Sequence, residues 1–275
     1  MKNKRVLITG SAGSIGSGLV KEITKLYPKE VLALDQDESG LFNIVQEYKA
    51  TPILASIREK DRIEEVFEKH RPDIVFHAAA YKHVGLMEKF PREALKTNIL
   101  GTRNLIDISL KHKVEKLIFI SSDKAVNPNS VMGQTKKEGE RMCQSVGYIA
   151  VRFGNVLVSR GSIIPLWEKQ IEKGGPVTVT HPQMKRYFMS MGQACKLVIK
   201  AAKVGQPGEI LVMDMGQPIN IMDLAKQTIR NSGKDIEIKI IGTKPGERLF
   251  EELIASDEQV EERDGFFIIK PITLS

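Results

Sequence analysis

Short apolar runs recur through the first half of this chain, each followed by a stretch in which apolar positions return at helical spacing. The runs are Val6-Leu7-Ile8, Glu30-Val31-Leu32-Ala33-Leu34, Pro52-Ile53-Leu54, Ile74-Val75-Phe76, Lys116-Leu117-Ile118-Phe119-Ile120 and Ile149-Ala150-Val151. They are too short for helices and are continuous rather than alternating, the pattern of strands covered on both faces. The helical stretches fall at about 15–26, 38–49, 59–69, 91–112 and 132–146. Strand and helix in alternation predict an α/β fold, a doubly wound parallel sheet of Rossmann type. After Arg152 the rhythm breaks and glycine and proline crowd in, as at Gly174-Gly175-Pro176 and Pro207-Gly208. The chain therefore reads as a nucleotide-binding domain over 1–152. Residues 153–275 read as a smaller C-terminal substrate-binding lobe, interleaved with returns to the sheet.

Composition narrows the class without changing that picture. A chain of 275 residues can hold one large α/β domain and an appended lobe. No run approaches the ~18 apolar residues that a spanning helix needs. The opening Met1-Lys2-Asn3-Lys4-Arg5 leads into a strand rather than a leader peptide. The expectation is a cytoplasmic protein with no membrane span. The formal charge of +7 is spread among 34 acidic residues, with no basic tract studded with aromatics. Nucleic acid is not the expected partner, and a basic cleft for a diphosphate accounts for part of the excess. Cys143 and Cys195 lie in helical patterns with no second ligand at metal spacing. They read as free thiols, and no metal is expected.

Candidate chemistry begins after the first strand, in Gly10-Ser11-Ala12-Gly13-Ser14-Ile15-Gly16. Glycines permit a tight turn and let backbone amides approach a pyrophosphate at the positive end of the following helix. The second strand ends in Asp35, at the distance expected of a residue that accepts from the adenosine ribose hydroxyls. Its charge opposes a 2′-phosphate and no arginine directly follows, so NAD is favoured over NADP. The fourth strand runs into His77 and then Ala78, Ala79 and Ala80, small enough to pass beneath a nicotinamide ribose. His77 reads as a satisfied core histidine. Lys82 and His83 lie just past the strand end, where open α/β sheets bind ligands. Asn98 sits mid-helix, where asparagine is a poor helix former, which points to a buried polar role near the site.

The fifth strand delivers Ser121-Ser122-Asp123-Lys124, followed by a helix with Lys136. An acid and a base side by side suit elimination chemistry beside a bound cofactor. A lysine base needs its pKa lowered and a carboxylic acid needs its pKa raised. A mutual hydrogen bond would oppose both, so each is expected to face the substrate.

These residues, taken in order as GSAGSIG, HAAAYKHVGLME, TNILGT, SSDKAVNP, RFGNVLVSRGS, HPQMKRYFM and KPGERLFEEL, resemble the extended short-chain dehydrogenase/reductases. Within them the chain is most similar to the bacterial UDP-N-acetylglucosamine 4,6-dehydratases of polysaccharide biosynthesis, and the resemblance covers nearly its whole length. It implies a tightly bound, recycled NAD that takes hydride from sugar carbon 4 and returns it to carbon 6. Lys124 would take the proton from carbon 5, and Asp123 would protonate the departing 6-hydroxyl. Lys136 and Ser122 would serve the nicotinamide ribose and the 4-hydroxyl proton. The resemblance also implies that Asn155, Ser162, Arg186, Lys244, Glu247 and Arg248 contact the UDP-sugar, and that the protein works as a homo-oligomer. The long helices at 91–112 and 132–146 would pair between copies, using Leu95, Ile99, Leu105, Ile108, Met142 and Val146.

Three positions depart from the family pattern. Met132 stands where a tyrosine usually takes the 4-hydroxyl proton, and a thioether carries no proton. A membrane-anchored branch of the family is similar in carrying methionine there. Ala55-Ser56-Ile57-Arg58 replaces the usual Gly-Asp, leaving Ser56 and Ile57 at the adenine. Gly85 stands where proline is common. Alternatives remain: an epimerase, an enzyme forming or consuming a 5,6-ene sugar at the same site, or a non-catalytic nucleotide-binding member.

Overall fold

The apolar run Val6-Leu7-Ile8 feeds two cores at once, with Val6 and Ile8 packed on one side of the sheet and Leu7 on the other. The same division holds for Val31 and Leu32, and for Phe76 and Val75. This is why these strands read as continuous rather than alternating. The computed structural model describes residues 1–271, so the last four positions of the lobe expected at 153–275 lie outside the described residues.

The first six strands are β1 (Arg5–Thr9), β2 (Glu30–Asp35), β3 (Thr51–Leu54), β4 (Ile74–His77), β5 (Lys116–Ile120) and β6 (Ile149–Arg152). They lie in the order β3-β2-β1-β4-β5-β6, all parallel. The chain returns to this sheet later. Ile210–Met213 pairs parallel with β6, and Phe266–Ile269 and Val260–Arg263 add antiparallel strands outside it. The result is a nine-stranded, mostly parallel sheet with helices on both faces, a Rossmann-like fold. Strand order reverses between β1 and β4, so ligands are expected at the carboxyl ends of those two strands.

A separate apolar cluster forms around fully buried Trp167, with Ile171, Val177, Val179 and Ile221. Short ladders join Val177–Val179 to Ile238–Ile240 and Lys185–Arg186 to Ile219–Asn220. Between sheet and cluster runs the segment after β6. Among the described residues no helix is long and apolar enough to cross a membrane.

The helix expected over 91–112 is three pieces: Pro91–Ala94, a π-helical segment Leu95–Gly101, and Thr102–Lys111. The widened turn lets buried Asn98 leave the helical register and bond elsewhere, as π-segments at sites commonly do. A helix at Val84–Lys89 went unpredicted because it is only 6 residues long. The expected interface set also needs correction. Leu105 and Ile108 are fully buried in the core, and their apolar character serves the sheet. Leu95 and Val146 are exposed.

Candidate active site

The glycine turn is dictated by close approaches. Gly10 has φ of +68°, and a Cβ there would meet Ala79 Cα at 2.6 Å. A Cβ on Gly16 would collide with the carbonyl oxygen of Gly10. Helix α1 (Ser14–Thr24) starts at Gly13 with no side-chain cap, so its first-turn amides stay available. Ser11 is fully buried beneath the turn.

Asp35 sits at the far side of a cavity that Gly10, Ala12, Ser56, Ile57 and Ala78–Ala80 also line. Its carboxylate accepts from Ala12 N–H at 2.9 Å and Asp37 N–H at 3.0 Å. One bond on each oxygen leaves lone pairs for two ribose hydroxyls. Free helix amides at one end and a fixed carboxylate at the other match the donor and acceptor needs of a dinucleotide, so these residues fit the implied cofactor. The Arg58 main-chain N–H donates to Ser56 Oγ at 3.4 Å, while its guanidinium donates to Glu93 at 2.6 Å and to Thr97 at 2.7 Å.

A larger cavity of about 750 Å³ opens next to it, beneath the Trp167 cluster. Ser14, Ile15, Lys82, His83, Ser122, Lys124, Met132, Lys136, Asn155, Ser162, Arg186, Lys244 and Glu247 all border it, from segments far apart in sequence. Asp123, Asn98 and Arg248 are not on its wall. Asn98 instead clasps Tyr81, accepting from its N–H at 2.8 Å and donating to its carbonyl at 2.9 Å, and it also donates to Thr135 Oγ1. It fixes the chain from which Lys82 extends. Arg248 donates to the carbonyls of Val126 and Asn127.

The expectation that Asp123 and Lys124 stay apart is overturned. Lys124 Nζ donates to Asp123 Oδ1 at 2.8 Å, and Ser122 Oγ donates to the same oxygen at 2.7 Å. The residues share a single 3₁₀ turn, Asp123–Ala125, capped by Ser122, and a carboxylate this buried needs donors close by. Asp123 Oδ2 has no partner among the described residues. Lys124 Nζ also reaches Asn155 Oδ1 at 3.3 Å and lies 3.9 Å from Glu251.

Lys136 is buried, its ammonium donating to Ile120 carbonyl at 2.7 Å above the Phe119 ring. Burial pushes its pKa down to about 8. Met132, one turn earlier, packs with Met87, Ala94 and Tyr81. Their helix, Val131–Ser145, is capped by Ser130, and it lies so close to the 3₁₀ turn that a Cβ on Gly133 would strike the Lys124 carbonyl. His77 is the satisfied core histidine expected, 2.8 Å from both Thr9 and Thr102 hydroxyls. Burial pushes its pKa down to about 3. Burial also lowers the pKa of Lys82 and His83, and a neighbouring cation adds to this in each case.

Sequence reading missed two groups. Glu251 is buried 3.7 Å from Arg186, and burial raises its pKa. It lies within KPGERLFEEL, where the quoted motif could have pointed to it. Arg186 is held down by donating to the carbonyls of Lys185, Leu249 and Arg248. The second group is Arg160, which borders both cavities.

The family described as polysaccharide biosynthesis protein matches residues 6–270. The capsular polysaccharide biosynthesis protein CapD of Staphylococcus aureus is 47% identical over 276 residues, covering 94% of this chain and 46% of CapD. The chain thus spans about half the length of such curated relatives. The UDP-glucose 4-epimerase of Rickettsia rickettsii is 35% identical, covering 95% of this chain and 81% of its own. Among solved structures, Pen from Bacillus thuringiensis superposes with a TM-score of 0.94 at 37% identity, covering 98% of this chain and 90% of Pen.

Proposed function

The chain belongs to the family of polysaccharide biosynthesis proteins, and from that premise we propose that it is a UDP-N-acetylglucosamine 4,6-dehydratase with NAD as its internal hydride carrier. One observation carries the reading: Lys124, bonded to buried Asp123 just behind it, stands on the cavity wall with buried Lys136. NAD, when bound, would supply a reversible hydride acceptor for sugar carbon 4 and a hydride donor for carbon 6. The Lys124 ammonium first passes its proton to Asp123 along their 2.8 Å hydrogen bond. Lys124, then neutral, takes the proton from carbon 5, and a proton goes back to that carbon as hydride reaches carbon 6. Asp123 gives a proton to the 6-hydroxyl, which leaves as water. The hydrogen bond between the two opens as the sugar's own hydroxyls replace it. Lys136 holds the nicotinamide ribose and eases the 4-hydroxyl proton away, together with Ser122 and water, because Met132 has no proton to exchange.

By this reading Lys82 would contact cofactor or substrate, Asn155 the diphosphate or sugar, Arg186 and Lys244 the diphosphate and nucleobase, and Glu247 the UDP-sugar, all from the wall of the larger cavity. Arg248 acts by holding the Val126-Asn127 loop. The homo-oligomer reading rests on exposed Leu95 and Leu100 and on a groove that Leu95, Ile99 and Val131 line. A monomer mass by light scattering at micromolar concentration would contradict it.

A second reading is 4-epimerisation at the same site, favoured by the likeness to the Rickettsia epimerase over 95% of this chain and 81% of that protein. Product mass after incubation with UDP-N-acetylglucosamine separates the two. Dehydration removes one water, and epimerisation leaves the mass unchanged. Recovery of isomeric product at unchanged mass would replace the dehydratase reading.

A further inference from the structure

The loop between the strand Asn155–Val156 and the helix Ile163–Glu172 crosses the glycine turn. Arg160 ties it there. Its main-chain N–H donates to Ser14 Oγ at 2.8 Å, and its guanidinium donates to the Ala12 carbonyl at 3.0 Å and to Asp37 Oδ2 at 3.3 Å. Arg160 borders both cavities, and so do Gly10 and Gly13. The smaller cavity, around Asp35, has the carboxylate that an adenosine ribose needs. The larger one holds Lys136 and the reacting groups. A dinucleotide lying across both must place its diphosphate at their junction, between the glycine turn and Arg160.

Charge at the junction agrees. Lys82 borders the larger cavity together with Arg160, and its pKa is lowered first by burial and then by Arg160, with no carboxylate acting the other way. Two cations turned on one gap form a field that an anion relieves. The nearest acid to Arg160 is Asp37, whose other oxygen accepts from Gly40 N–H at 3.0 Å and caps the following helix.

We infer that Arg160 is a cofactor-binding residue that clamps the dinucleotide's diphosphate from the substrate side, opposite the free amides of α1. The inference rests on the dinucleotide reading given above. In it Arg160 exchanges its Asp37 contact for the diphosphate. The same loop carries Gly161, packed against His83, so cofactor and substrate cavities share one closing segment.

Calorimetric titration of Arg160→Ala with NAD, ADP-ribose and UDP, each at low and high salt, tests it. NAD and ADP-ribose should each bind at least about 10-fold more weakly, the scale of one charge-assisted hydrogen bond. UDP affinity should stay within about 2-fold, and the salt dependence of ADP-ribose binding should flatten as one ionic contact is lost. Loss of UDP with NAD unchanged would assign the cation to the substrate and overturn the clamp. Weaker NAD binding with an unchanged salt dependence would also overturn it, since loop packing alone then explains the loss. Asp37→Asn keeps the helix cap while removing the competing charge, and it should bind NAD as tightly as the unaltered chain or more so. A weakening of 3-fold or more, on the order of a lost hydrogen bond, would again overturn the clamp. Failure of the unaltered chain to bind NAD would sink the cofactor reading and the clamp together. Normal NAD binding by both the unaltered chain and Arg160→Ala would sink the clamp alone.

Discussion

Replacing Lys124 by alanine separates chemistry from folding. Lys124 is the one member of the Asp123–Lys124 pair on the cavity wall, and its side chain keeps about a fifth of its exposure, 21%. Loss of a positioned base costs ~10²–10⁴ in rate, which corresponds to about 3–5 kcal/mol of barrier. The structural cost is smaller. Asp123, with no exposed side-chain surface, keeps Ser122 Oγ on Oδ1 and loses the ammonium. Weakening one buried acceptor costs about 1–3 kcal/mol, against the 5–15 kcal/mol of stability usual for a domain. The variant should therefore fold and bind NAD, because the glycine turn, Asp35 and Lys136 are untouched. Its turnover of UDP-N-acetylglucosamine, followed by mass spectrometry, should fall at least ~10²-fold. Asp123→Asn should fall comparably, and the double variant should be little worse than the slower single one, since the two act as a unit. If Lys124→Ala loses water from the sugar at the unmutated rate, the base is misassigned and the mechanism fails.

Met132→Tyr should leave turnover unchanged or raise it, with a stability loss of about 1–3 kcal/mol from crowding Met87 and Ala94; a drop beyond tenfold with NAD affinity intact would show that methionine itself is required. Unaltered protein should bind NAD more tightly than NADP, and Asp35→Ala should narrow the gap; calorimetry giving tighter NADP binding first would refute this. Arg152→Met should cost about 3–5 kcal/mol by stranding buried Glu140 and half-buried Glu258, read as a fall of roughly 6–15 °C in Tm; a loss under 1 kcal/mol in urea titration would mean the pairs add little. His77 has its folded pKa near 3 against 6.5 unfolded, so the unfolded chain binds the extra proton between those values. Stability should then fall as pH drops from 6.5 toward 3, by on the order of 5 kcal/mol in all. His77→Gln should flatten that slope in urea melts at pH 7 and pH 5, and an equal slope would exclude the histidine.

The parts of the fold legible in the sequence were those in which local and global demands coincide. Val6-Leu7-Ile8 is apolar at every position because both faces are covered, and Gly10 and Gly16 are glycine because backbone stands where a Cβ would go. The site was legible where motif order brought Lys82, Lys124, Lys136 and Asn155 to mind, and these do border one cavity. What escaped depends on geometry that no periodicity encodes. A π-turn at Leu95–Gly101 keeps the apolar spacing of a helix while turning Asn98 inward. The 3₁₀ turn folds Lys124 back on its neighbour, although the sequence suggested two groups facing outward. Arg160 stands in RFGNVLVSRGS, but its contact with Ser14, 146 residues away, is set by the path of the loop, which no spacing encodes.

The buried ions give the remaining link between scaffold and chemistry. Glu140 lies one helical turn beyond Lys136 and is fully buried. It accepts from Ser121 Oγ at 2.6 Å and from Arg152 at 2.9 and 2.8 Å. One carboxylate therefore joins the end of β5, just before Asp123, to the helix of Lys136 and to β6. Arg152 continues the chain of contacts, donating to the Leu253 carbonyl at 2.9 Å and to Glu258 at 2.7 Å. That segment follows Glu247 and Glu251, so the network also fixes where the substrate-side loop sits. Replacing these ions with apolar side chains of equal volume could match their stability. It could not hold three elements and a loop in one register with five directed hydrogen bonds from one guanidinium. The proposed mechanism requires Lys136, Asp123 and that loop at fixed mutual distances, which makes register, more than stability, the use of a buried arginine here.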